Sequence, residues 1–156
     1  MTAIASLAAS NFPSSATTRK LDAEKLSEVS QLEITDRHVR AHEAAHLAAA
    51  GPYATGGPSY TFAIGPDGQR YAVGGEVSLD TSPDPAGPEA TVQKAKTIQA
   101  AANAPADPST QDRMVAAQAA GMEADAEAQI FAEQQRGSQY GRNDAPELGK
   151  IIAAVG

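Results

Sequence analysis

The pentapeptide His42-Glu43-Ala44-Ala45-His46 constrains this chain more than any other stretch. Two imidazoles four residues apart fall on one face when the backbone between them is α-helical, one turn above the other. In that arrangement both can bind a single zinc ion, and Glu43 can act as general base toward a water activated by the metal. The fold must therefore supply a helix across 42–46 and bring a further donor to it from elsewhere. The flanking residues agree with a helix. Thr35 or Asp36 can cap its start, residues 37–50 contain no Gly or Pro, and Gly51-Pro52 supplies a stop. The plainer reading of the motif is a surface helix that carries two histidines and a glutamate by chance.

A second constraint is the scarcity of large apolar side chains. Alanine supplies 34 of the 65 hydrophobic residues, there is no Trp, and only seven residues are aromatic. Alanine buries little area, so a chain of 156 residues with this composition needs close helix packing, a metal or a partner to be well ordered.

The formal net charge is −7 and the sequence pI about 4.8, which argues against nonspecific nucleic-acid binding and against attraction to anionic membranes. Cysteine is absent, which excludes disulfides and Cys-based zinc or redox chemistry. The N-terminal apolar run has no basic residue before it and makes a poor secretory signal, and no stretch approaches a membrane span of about 20 apolar residues. A cytoplasmic location is the default expectation, with export by another route open.

One domain is expected, with residues 1–20 as a flexible leader, 21–136 as the folded part and 137–156 as a flexible tail in which Ile151-Ile152 could dock. Residues 21–51 read as helical, with a break near Glu33-Ile34-Thr35. Leu21, Leu26, Val29 and Leu32 lie near helical spacing and could pack one face. Residues 59–64 alternate as a half-buried strand does, Gly65-Pro66-Asp67-Gly68 suits a type I turn, and 69–73 return as the partner strand. Gly74-Gly75 would break or bulge the ladder before a third extended segment over 76–80. Pro88 can open a helix that runs to about Asn103. After the break at 104–108, with Asp107 as N-cap, a long Ala- and Gln-rich helix runs to about Gln135. The fold class is α+β: a small zincin-like domain made of the motif helix, a β-hairpin and two Ala-rich helices.

In this order the chain resembles the bacterial SprA-related family, regarded as metalloproteases. The likeness rests on 39–46 (Val-Arg-Ala-His-Glu-Ala-Ala-His), on Ala50-Gly51-Pro52-Tyr53 and on Gly57-Pro58-Ser59-Tyr60. It continues through Gly65-Pro66-Asp67-Gly68, Tyr71-Ala72-Val73-Gly74-Gly75-Glu76-Val77 and Pro108-Ser109-Thr110-Gln111-Asp112-Arg113. The resemblance implies a zinc-dependent peptidase acting on a peptide or protein substrate, and leaves the oligomeric state open.

A zinc hydrolase usually has three protein ligands. No histidine follows His46, so the third ligand is expected to be a carboxylate. Glu76 is the first choice, because Gly74-Gly75-Glu76-Val77 resembles the family's Gly-Glu-Val signature and two glycines allow close backbone approach. Glu123 and Glu127 on the last helix compete, and Asp80 is a weaker candidate. His38 lies one turn before His42 and could flank the site. Asp36 or Asp112 could orient a ligand imidazole, although a helix cap or a solvated charge explains each as well. Tyr60, Arg70 and Tyr71 could stabilise an oxyanion, although hairpin packing is the favoured account of both tyrosines. Besides peptide hydrolysis, two other functions fit: a non-catalytic scaffold stapled by its metal, and a metal-dependent amidase acting on cell-wall peptide.

Overall fold

The computed structural model describes residues 15–143. The elements in chain order are helix α1 (Ser15–Ala50), a short 3-10 turn (Gly51–Tyr53), strands β1 (Ser59–Ile64) and β2 (Arg70–Glu76), and helices α2 (Pro88–Ala102) and α3 (Thr110–Asn143). This is the expected α+β order of helix, antiparallel hairpin and two helices. Residues 1–14 and 144–156, including Ile151-Ile152, lie outside the described part. The described chain forms two compact units, residues 15–41 with 59–75, and 42–58 with 76–143.

In the first unit α1 runs without interruption through the expected break at 33–35. No Gly or Pro stands between residues 15 and 50. Thr35 does not cap a helix start. Its hydroxyl donates instead to the Gln31 carbonyl one turn back, at 3.0 Å. Asp36 is likewise not a cap: it pairs with Arg40 at 2.9 Å along the helix and accepts the Ala72 N–H of β2 at 2.7 Å. Of the expected packing stripe, Val29 and Leu32 are half-buried, but Leu26 is 71% exposed.

The hairpin turn follows its sequence. The Gly68 N–H donates to the Gly65 carbonyl, which closes the turn, and Gly68 takes a left-handed φ of 80°. The Asp67 carboxylate accepts the Gln69 N–H and the Tyr71 hydroxyl, at 3.1 and 2.7 Å. Gly74 and Gly75 stay within β2 and do not end it. A side chain at Gly74 would meet only ordinary contact with Thr61, so nothing forces a bulge there.

The second unit holds the last turns of α1, and Gly51 ends that helix with φ 54°, the conformation a helix-terminating glycine favours. The expected third extended segment reduces to one antiparallel bridge between Ala54 and Leu79. Asp80 then clips the following loop to α2 through the buried Lys94 (2.6 Å), whose ammonium also lies 5.6 Å from the Tyr53 ring. Pro88 opens α2 as expected. Helix α2 packs on α3 through Ala95, Ile98, Ala119 and Met122, joined by Tyr53, Leu79 and Val115. The alanines let the two helices approach closely, which is how this chain builds a core with few large side chains.

Candidate metal centre

His42, Glu43 and His46 occupy the final three turns of α1, where the 3.6-residue period directs His42 and His46 to the same side. Their rings meet edge to face, with Nε2 of His42 3.1 Å from Nε2 of His46. The third member of the group comes from the first turn of α3: Asp112 Oδ1 lies 3.3 Å from His46 Nε2, and Oδ2 lies 3.5 Å from His42 Nε2. Among the described residues these three form the group able to hold a metal ion. Donors bound tetrahedrally at metal distances near 2.0–2.2 Å stand about 3.3–3.6 Å apart; the two imidazole–carboxylate separations fall in that range, and the imidazole pair is slightly closer at 3.1 Å.

Two contacts fix the donors. The His46 Nδ1–H donates to the Ala101 carbonyl near the C-terminal end of α2, at 2.8 Å, which leaves the Nε2 lone pair facing His42 and Asp112. Asp112 is held by a reciprocal capping box. Its Oδ2 accepts the Ser109 N–H at 2.6 Å, while its own N–H donates to the Ser109 hydroxyl at 3.1 Å. Burial pushes the Asp112 carboxyl up, but the Ser109 contacts and the neighbouring His46 outweigh it and hold the group below the usual carboxylate range.

Glu43 is 2% exposed, and its Oε2 is buried with no hydrogen-bond partner among the described residues. Such an atom is costly unless something polar meets it. Burial raises the Glu43 carboxyl above its ordinary value, against the opposing pull of His42 and His46. This unpartnered oxygen belongs to the residue next to His42, one of the side chains able to hold a metal ion.

The structure places His42, Glu43 and His46 together near the end of α1, and the carboxylate within reach of both imidazoles is that of Asp112. Glu76 stands outside the group of three, and its Oε2 accepts a hydrogen bond from Gln111 Nε2 at 3.1 Å. Glu123 is engaged by Gln99 and Lys96, Glu127 is exposed, and Asp80 is bound to Lys94 and Ser82. His38 is exposed and is not one of the donors. Within the first unit Tyr60 lies under Arg40, Arg70 covers Phe62, and Tyr71 is tied to Asp67.

Ser109 and the Ala101 carbonyl escape the sequence reading. The pattern Ser109-Thr110-Gln111-Asp112 could have revealed the box, being a small hydroxyl residue followed three positions later by an acid. A main-chain carbonyl leaves no such trace. A separate cavity of about 480 Å³, lined in part by Asp84, Thr91, Gln118, Met122 and Asp125, contains none of the metal donors.

No helix among the described residues is long and apolar enough to cross a membrane. Residues 13–150 match the model of the SprA-related family. No curated protein and no solved structure matches the chain.

Proposed function

The chain belongs to the SprA-related family, and we propose that it is a zinc-dependent metallopeptidase in which His42, His46 and Asp112 hold the ion and Glu43 is the general base. The observation that carries this reading is the buried, unpartnered Oε2 of Glu43 beside the three converging donors. When bound, zinc supplies a water of lowered pKa and a Lewis acid for the scissile carbonyl. Two imidazoles and one carboxylate suit zinc, since nitrogen and oxygen donors with one position left open are the usual catalytic set.

Glu43 then has a simple task. Its desolvated carboxylate accepts a proton from the attacking water, holds it because burial disfavours the charged form, and releases it to the leaving amine. Ala101 fixes the His46 tautomer, and Ser109 fixes the Asp112 rotamer, so neither donor must reorganise when the ion enters.

The test combines metal analysis with a peptide-library assay. Purified protein should carry one equivalent of zinc, and His46→Ala should lose it. Glu43→Gln should keep the zinc and lower kcat by about 10²–10⁴-fold, the usual span for removing a general base. Zinc-loaded wild type that cleaves no peptide would favour the scaffold reading, which the alanine-rich core of α2 and α3 already makes reasonable.

A further inference from the structure

Glu76 is the last residue of β2, and its carboxylate has no Lys or Arg partner among the described residues. Its one recorded hydrogen bond comes from the neutral amide of Gln111, the residue immediately before the metal donor Asp112. Glu76 is exposed, so a ligand approaching from solvent can reach it. The Gln111 contact sets it against the first turn of α3, the turn that carries Asp112. The local charge is unbalanced: a dication would compensate Asp112 and Glu43, and Glu76 would remain. The chain as a whole is acidic, at −7, and repels anionic ligands.

We propose that Glu76 is a specificity residue that selects peptides bearing a cationic group, an amino terminus or a basic side chain, next to the bond presented to the metal centre. The idea rests on the peptidase reading above. A carboxylate whose only hydrogen-bond donor is a neutral amide retains acceptor capacity, and an ammonium fills it with charge-assisted hydrogen bonds. Gln111 keeps the Glu76 side chain turned toward α3, so the charge is placed before the ligand arrives.

Equilibrium binding tests this without turnover. Zinc-loaded Glu43→Gln protein is titrated with three labelled probes: an N-acetylated alanine-glycine hexapeptide amide, the same peptide with a free amino terminus, and the acetylated peptide carrying one lysine. At least one cationic probe should bind about tenfold more tightly than the neutral one, as a hydrogen bond to a charged group provides. Which probe gains identifies the source of the cation. Adding Glu76→Gln, which keeps an acceptor oxygen for Gln111, should erase the difference and leave the zinc content unchanged. Equal affinity for all three probes would overturn the proposal, as would an equal loss across them in the variant. A drop in zinc affinity on Glu76→Gln would overturn it too, by making Glu76 a ligand. Failure of hydrolysis is a separate outcome: wild type that binds cationic probes selectively but cleaves none refutes the peptidase reading alone.

Discussion

At the scale of single residues, Tyr71 shows how the hairpin titrates. Its hydroxyl donates to Asp67, and that bond, aided by burial, raises the phenol to about 12. A raised phenol pKa means the folded state holds its proton longer than the unfolded chain. The stabilisation is therefore complete below the ordinary tyrosine value of about 10 and is lost as pH climbs toward 12. Urea midpoints should fall across that interval in wild type, and Tyr71→Phe should lack this component of the slope. The turn itself was legible, because Gly-Pro-Asp-Gly carries its own dihedral preferences. The Asp67–Tyr71 bond was not, because it depends on which side of the returning strand the ring takes.

Between elements, the start of α3 carries two jobs at once. The residues that satisfy its first free N–H groups also orient the proposed metal donor Asp112. The sequence reading placed the cap at Asp107, since Asp-Pro is a familiar helix opening. The helix instead begins at Thr110, with Ser109 and Asp112 in the box. Ser109→Ala should cost roughly 0.5–2 kcal/mol in stability, as lost caps do. It should also weaken zinc binding by about 10–100-fold, the usual effect of removing an outer-shell partner. Chelator competition reads the second effect, and faster amide exchange at the first turn of α3 reads the first. Ser109→Thr should restore both. Helix α1 teaches the complementary lesson. Its residues near 33–35 looked like a boundary because Thr and Asp favour caps, yet with no Gly or Pro to stop it the helix ran on, and both side chains found other partners.

For the molecule as a whole, the metal is expected to act as a long-range staple. Its proposed donors come from the end of α1 and the start of α3, within a unit whose packed centre is mostly alanine with Ile98 and Met122. An ion that binds only the folded form adds about 4.1 kcal/mol when present at a thousandfold excess over its Kd. Thermal scans should show Tm rising with zinc, falling with chelator, and indifferent to zinc in His46→Ala. The sequence revealed the element order because hydrophobic period and turn residues act locally. It pointed to two of the candidate donors because they share one helical turn. Asp112 was named only as a residue that could orient an imidazole, one of nineteen acidic residues, and the docking of α3 sets its carboxylate against both rings. One contact bears on how such a centre could drift over generations. The carbonyl steadying His46 belongs to the peptide backbone at position 101, so no exchange of the alanine side chain removes the acceptor. Losing that anchor takes an insertion, a deletion or the one class of substitution, to proline, that unwinds the tail of α2, and the orientation of the imidazole is thereby sheltered from most of the mutations a gene will meet.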